Sequence, residues 1–527
     1  MPSIALFRLP RKWRMVALAL SSLLTLCVLG IHYRHVLLAT QDSLSSEQPE
    51  RADNDVTGDL RRYGVVIDAG SSGSRVMVYS WDDPRTASAN NRSLPRVERA
   101  AAAHDAFRTS PGISSFADRP RRVGPEHIRP LLDFALSAVP KRQVAHTPVY
   151  LLATAGMRLL PQSHQALLLD TACSFARANY DFAIPDCQDS FRVVPGELEG
   201  LYGWIAVNYL MDGFHKEHQS HGFLDMGGAS AQIAFEPAAT AAANAHAQDL
   251  AQVTLRTLDG NDHAYRVYVA SFLGHGTNEA RRRYVEGLQQ TAPVPEGGAA
   301  MPTIDDPCLA PGLALPTARG RAAVLRGTGS YSECLAATAP LLNNTECTTE
   351  PCFFAGVHGP AIDFGAQRFV GVSEYWYASH NYLGLGGMWD VKRFETQAAA
   401  FCRRPWSDVS GLVVDAQPTA LARLQMQCFK AAWLVNVLHT GFGIPRSTAA
   451  SPSGSAGASV FESVNSVGDV EVSWTLGALL DKISQSIAPS FHSVKARSRP
   501  GILLSDASAL LHDDAAAAAA ELVDDSL

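Results

Sequence analysis

The chain has 527 residues, 46% of them hydrophobic, enough for about two or three ordinary domains or one enzyme of two lobes. Lys and Arg total 44 against 51 Asp and Glu, for a formal net charge of −7. That balance argues against a nucleic-acid partner, which normally shows as a basic patch or stripe.

At the N-terminus, Arg8, Arg11, Lys12 and Arg14 precede an uncharged apolar run at 15–31, MVALALSSLLTLCVLGI. A run of about 17–25 apolar residues spans a bilayer as a helix, and basic residues before it hold the N-terminus in the cytosol. The expected order is a cytoplasmic tail at 1–14, a signal-anchor helix at 15–33 and a polar stem at 34–61. A cleaved signal peptide is the alternative, since its n-region and apolar core look alike. Either way, everything beyond about residue 40 lies outside the cytosol. Two sequons, Asn91-Arg92-Ser93 and Asn343-Asn344-Thr345, are compatible with a lumenal glycoprotein.

The folded part opens with the strand VVID after Tyr63-Gly64. Short β-branched runs (VVID, VMVYSW, VYLLAT, GFLDMGG) then alternate with helical periods, as in a mixed α/β protein. One helix is EHIRPLLDFALSAVP, with Ile128, Leu131, Leu132, Leu136 and Val139 on one face; another begins near Gly196 and runs through Trp204 and Tyr209. SPSGSAGAS at 451–459 is a loop, and the run DDAAAAAAELVDDSL ends a low-complexity tail at 496–527. His215, His218 and His221 sit in a polar turn and are read as solvated, not as a metal site. Cys27 lies in the apolar run. The other eight cysteines, in a chain bound for the secretory route, imply four disulfides. No H-E-x-x-H or recurring C-x-x-C implies zinc.

Two turns carry the chemistry. In DAGSSGSR, Asp68–Arg75, glycines let backbone N–H groups approach an anion, and Ser71, Ser72 and Ser74 add hydroxyl donors. No Gly-Lys pair exists, so this is not a Walker loop. A carboxylate beside a phosphate repels it unless a cation stands between, so Asp68 implies Mg²⁺ or Ca²⁺. An echo follows in LDMGGASAQ: Asp225 ends a strand, Gly227 and Gly228 turn it, and Ser230 and Gln232 share a face of the return. Two acid-tipped glycine turns facing one another would clamp a polyphosphate, and the repetition suggests a duplicated fold. A hydrolase also needs a base near the attacking water. GELEGLYGW offers Glu197 and Glu199, which spacing alone does not separate. In ATAGMR, Thr154 ends a strand and Arg158 meets either phosphate or a structural carboxylate.

DAGSSGSR, ATAGMR, GELEGLYGW, LDMGGASAQ and VEVSWTLGALL (with Trp474) resemble, in this order, the signature regions of the apyrase or nucleoside triphosphate diphosphohydrolase family. The resemblance spans about 62–485, and VSEYWYASHNYL is most similar to its Golgi-type members. It implies an α/β fold of two RNase H-like lobes, of the actin and sugar-kinase superfamily, with the active site in the cleft. The lobes are expected at 62–195 plus 465–495 and at 196–464. It implies hydrolysis of nucleoside di- and triphosphates (UDP, GDP, ADP, ATP class), with Glu199 as the base and Ser230 and Gln232 positioning the water. Ser71, Ser72, Gly73, Gly227, Gly228 and Ala229 would bind phosphate, and Asp68, Asp225 and Thr154 would hold Mg²⁺ or Ca²⁺ through its water shell. Several surface members carry His where this chain has Gly73. Tyr375, Trp376, Tyr377 and Arg423 are the candidates to hold the base.

For the cysteines the family pattern implies Cys173–Cys187, Cys308–Cys347, Cys334–Cys352 and Cys402–Cys428; spacing alone favours Cys347–Cys352. A short span suits thin early secretory membranes, so a Golgi type II protein is expected over a surface or secreted one. The alternatives are a kinase-like phosphotransferase of the same fold and a non-catalytic nucleotide-binding protein.

Overall fold

A computed structural model of the chain describes residues 61–505, apart from 87–92, 101–106, 215–218, 239–246, 293–300, 319, 321, 344–346, 348, 414–417, 447–458 and 497–498. The expected anchor, Asn91, His215, His218 and most of the loop at 451–459 therefore lie outside the described residues. Among the described residues, no helix is long and apolar enough to cross a membrane.

The first sheet is built on β1 (Arg61–Ala69), which pairs antiparallel with β2 (Ser74–Asp82). β3 (Val97–Arg99) and β4 (Phe107–Thr109) both pair with β2, at different places along it. On its other side β1 runs parallel to β5 (Val149–Ala153), which runs parallel to β6 (Phe191–Val193). Val65, Val66 and Ile67 are all fully buried, because both faces of the sheet are covered. Val65 and Ile67 face a core shared with the helices Arg129–Ala138 and Gln162–Asn179, while Val66 faces the opposite core.

The second sheet repeats this plan. β7 (Gly222–Met226) pairs antiparallel with β8 (Ser230–Phe235). β9 (Ala251–Arg256) and β10 (Asp262–Leu273) extend that side. A small sheet of β11 (Thr303–Asp306), β12 (Ala314–Pro316) and β13 (Val324–Gly327) is an addition outside the repeat. On the far side of β7 run the parallel strands β14 (Phe369–Ser373) and then β16 (Phe461–Ser463), edged by β15 (Gly387–Met388). A hairpin of β17 (Ser466–Val467) and β18 (Val470–Glu471) leads to the helix Trp474–Ser486, and β19 (Gly501–Leu503) closes the other edge beside β9. In both sheets an acid-tipped central strand has its hairpin partner on one side and parallel strands on the other. The echo between the two turns thus reflects a repeated topology.

The helices Gly196–Leu210 and Trp474–Ser486 pack together in a core that also holds residues of both sheets, among them Val66 and Leu152 of the first and Phe223 and Val370 of the second. The crossing is close. A β-carbon on Gly477 would fall 1.7 Å from the carbonyl oxygen of Tyr202, so only glycine is tolerated there.

Three expectations need correction. Leu136 is 43% exposed; the inward stripe is Ile128, Leu131, Leu132, Ala135 and Val139, one residue earlier in that turn. β19 lies inside the segment read as tail: Ile502 packs against the inter-sheet core, so order persists beyond the last helix. Cys173–Cys187 and Cys402–Cys428 form as expected, but the other four cysteines pair as Cys308–Cys334 and Cys347–Cys352. Helix Tyr331–Thr338 brings fully buried Cys334 to Cys308 in the core, with a Cα separation of 4.9 Å. Cys347 and Cys352 are half-buried and 5.9 Å apart, so the local bond favoured by spacing is the one made.

Candidate active site

The two acid-tipped turns have matching hydrogen bonds. Gly70 N–H donates to the Gly73 carbonyl at 3.0 Å, and Gly227 N–H donates to the Ser230 carbonyl, also at 3.0 Å. Asp68 and Asp225 each occupy the penultimate position of their strand. The turns approach so closely that a β-carbon on Gly228 would lie 2.8 Å from Ser71 Oγ. Together they border a cavity of about 550 Å³ whose lining includes every proposed phosphate-turn residue, Ser71, Ser72, Gly73, Gly227, Gly228 and Ala229, together with Asp68, Asp225, Thr154, Glu199 and Ser230.

Thr154 follows β5, and its N–H donates to the Ala69 carbonyl at 3.1 Å, which fixes it beside the first turn. Beside the second turn stands Ser373, the last residue of β14, whose φ of 58° is an unfavourable conformation for a side chain. Ser373 hydrogen-bonds Asp225.

Glu199 sits in the first turn of the helix Gly196–Leu210 and is 8% exposed. Arg158 donates to its Oε2, which settles that arginine's role as a carboxylate partner. Gln232 Nε2 reaches the same oxygen at 3.2 Å and Ser230 Oγ at 2.8 Å. Gln232 is itself fully buried and acts from behind these groups. A β-carbon on Gly196 would lie 2.5 Å from Arg158 Nη1, so that glycine leaves the arginine its path across the helix start. Glu197 is buried but does not line the cavity.

The electrostatics are those of three carboxylates held close together. Burial pushes Glu199 up to about 8, opposed by Arg158 and reinforced by Asp225 and Asp68. Burial pushes Asp68 up to about 7, opposed by Arg75, reinforced by Asp225 and relieved further by Arg108. Asp225 rises to about 6 on burial, against its bonds from Ser373 and the Met226 backbone. Asp225 Oδ1 is buried with no hydrogen-bond partner. An orphaned oxygen beside a second carboxylate fits a hard divalent cation, which takes oxygen ligands. Among the described residues, no group of three or more His, Cys, Asp or Glu side chains forms a cage. The donor set therefore suits Mg²⁺ or Ca²⁺ completing its shell with water and phosphate.

A second cavity of about 180 Å³ adjoins the first and shares Ser72, Gly227 and Gly228 with it. Tyr377 and Arg423 line both. Tyr375 does not: it is fully buried and packs on Phe461 with ring centroids 5.5 Å apart, so it belongs to the core and not to a base site. Trp376 stacks on His380 at 4.4 Å and lines neither cavity.

Sequence reading passed over several lining residues. Thr277 and Asn278 open a helix whose N–H groups donate to the Gly227 and Gly228 carbonyls at 2.9 and 2.8 Å, bracing the second turn from behind. Lys430 reaches Glu374 Oε1 at 2.9 Å at the wall of the second cavity. Arg75 pairs with Glu471, and Arg108 borders both cavities. For Thr277 and Asn278 the available signal was the Gly274-His275-Gly276 turn just before them; the others are joined only by the fold.

Two α/β lobes with duplicated turns across a cleft define the class: an actin- and sugar-kinase-like fold. Consistent with that, a crystal structure of nucleoside triphosphate hydrolases from Neospora caninum superposes with a TM-score of 0.53 at 15% identity, covering 86% of this chain and 97% of that one. The chain belongs to the GDA1/CD39 (nucleoside phosphatase) family, whose profile matches residues 55–497. It is 39% identical over 442 residues to the "Golgi apyrase" of Schizosaccharomyces pombe, covering 80% of this chain and 75% of the relative. The "Golgi apyrase" of Saccharomyces cerevisiae is 37% identical, covering 81% and 71%. This protein is thus a nucleoside phosphohydrolase.

Proposed function

We propose that the chain removes the terminal phosphate from nucleoside tri- and diphosphates by in-line attack of a water activated by Glu199. The observation that carries this reading is the Glu199–Gln232–Ser230 cluster at the meeting of the two phosphate turns. Glu199 takes a proton from the water as the water oxygen bonds to phosphorus. The bond from phosphorus to the bridging oxygen breaks, and its electrons leave with the shortened nucleotide. Arg158 and Gln232 hold the Glu199 carboxylate in place, and Ser230 orients the water with Gln232 positioning it from behind. The N–H groups of Ser72, Gly73, Gly228 and Ala229 take up charge on the phosphoryl oxygens. Mg²⁺ or Ca²⁺, held by Asp68 and Asp225 with Thr154 beside its water shell, would supply charge neutralisation on those oxygens. Tyr377 and Arg423 would hold the base between them.

The division into lobes at 62–195 plus 465–495 and at 196–464 is part of the same reading, supported by the two repeated sheets. So is a type II protein of the Golgi with a lumenal catalytic part, supported by the basic-then-apolar N-terminus and the names of the yeast relatives. A panel of UDP, GDP, ADP, UTP and ATP with the purified full chain tests the activity. Phosphate release from at least one diphosphate in Mg²⁺ or Ca²⁺ is expected, and release from none of them would refute the reading. Protease protection in sealed vesicles checks the topology, where digestion of the catalytic part without detergent would refute it.

A further inference from the structure

We propose that Arg108 is a second, separate phosphate contact: from β4 it grips the phosphate adjoining the scissile one and holds its charge as it departs. The inference rests on the hydrolytic reading above.

Arg108 stands directly opposite Arg75 in the β2–β4 register. Like charges placed directly across a strand pair repel each other unless an anion lies between them. Arg75 is engaged by Glu471, which Arg99 also approaches at 3.8 Å, so one carboxylate already answers two guanidinium groups. Among the described residues, no carboxylate forms an ion pair with Arg108; the Asp68 carboxylate feels both it and Arg75 from farther off. Its charge is directed into the site: it borders the cavity over the phosphate turns and the adjoining one that contains Tyr377 and Arg423. A nucleotide with its terminal phosphate on the turns and its base at Tyr377 would carry its next phosphate past the border of those two spaces.

The strand that carries Arg108 is locked onto the first turn. Ser74 registers with Thr109, and a β-carbon on Gly73 would fall 2.5 Å from the Thr109 carbonyl oxygen. Just beyond, a β-carbon on Gly112 would fall 2.5 Å from the Ser71 carbonyl oxygen. Two glycines thus let residues 107–112 lie on the turn, which sets Arg108, an exposed residue, at the wall of both cavities. A guanidinium keeps its charge at any working pH and matches phosphate oxygens in a bidentate fork.

The test compares R108A, R108Q and R108K with the wild-type full chain. R108A should lower kcat/KM for UDP and ATP by about 10–100-fold, as for loss of a charge-assisted bond, with R108K recovering part. With Glu199 left intact, R108A should weaken binding of α,β-methylene-UDP by a similar factor and leave inhibition of the residual turnover by inorganic phosphate within about twofold, a split that a structural role would not produce. Unchanged kcat/KM in R108A overturns the inference, as does an equal loss for the analogue and for inorganic phosphate. Failure of both R108A and R108Q to fold also overturns it, since Arg108 would then be structural. A wild-type protein inactive on every nucleotide would instead sink the hydrolytic reading.

Discussion

Gly228 and Ser71 meet across the cleft, so near that a β-carbon on the glycine would lie 2.8 Å from the serine hydroxyl and 2.8 Å from Asn278 Nδ2. The two phosphate turns therefore have no room for a side chain at this point. Gly228→Ala should push them apart and reduce kcat/KM for diphosphates by about 10²-fold, the scale of a misplacement near 1 Å. The melting temperature should move little, because the site is at the cleft and not in a core. Near-wild-type activity in this variant would show that the turns do not act as one clamp.

The crowding of Asp68, Asp225 and Glu199 predicts a metal response that can be read without turnover. Mg²⁺ or Ca²⁺ should raise the melting temperature, since a ligand at 100 times its Kd stabilises by about 2.7 kcal/mol. Asp225→Asn should abolish the shift, and exhaustive EDTA treatment should abolish activity. An EDTA-treated protein that retained full activity would contradict the metal reading of Asp68 and Asp225.

His127 gives a pH signature of the fold. It is buried, its Nε2 is 2.6 Å from Ser74 Oγ, and burial lowers its pKa from 6.5 to about 4. The unfolded chain therefore binds the extra proton first. The stability of the neutral folded form is full above pH 6.5 and is lost as pH falls towards 4, at up to about 1.4 kcal/mol per pH unit. His127→Gln should flatten the fall in melting temperature between pH 6.5 and 4 relative to wild type. Parallel curves for the two proteins would mean that His127 does not resist protonation.

Cysteine connectivity is testable directly. Non-reducing peptide mapping should find Cys308–Cys334 and Cys347–Cys352 beside Cys173–Cys187 and Cys402–Cys428. Recovery of a Cys308–Cys347 peptide would contradict the packing of helix Tyr331–Thr338 against Cys308.

How much of this was legible in the sequence depends on how far apart the cooperating residues lie. The turns at Asp68–Ser74 and Asp225–Ser230 are continuous segments, so their glycines and carboxylates declare themselves, and their repetition announced the paired sheets. Spacing alone left Glu199 as one of two helix-start glutamates until the family resemblance chose it; both are buried, and it is the place of Glu199 on the cavity wall that separates it from Glu197. Ser373 and Arg108 were not legible, because parallel pairing of β14 with β7 and a short edge strand bring them in from elsewhere. The aromatic run 375–377 signalled a binding wall but not its face: successive helical positions turn by about 100°, so Tyr375 enters the core and Tyr377 the cavity. Leu136 was misplaced for the same reason, because a stripe of leucines fits two adjacent helical faces until a partner surface chooses one.

The central claim, that Glu199 activates the attacking water, is tested by Glu199→Gln. The amide keeps the shape and the contact with Gln232 but cannot accept the proton. The measurement is kcat for UDP or ATP in saturating Mg²⁺, together with the Kd of α,β-methylene-UDP by calorimetry on the same preparation. The account predicts a fall in kcat of about 10²–10⁴-fold with the Kd within a few-fold of wild type. A kcat near the wild-type value would contradict it, and so would a loss explained entirely by weaker binding.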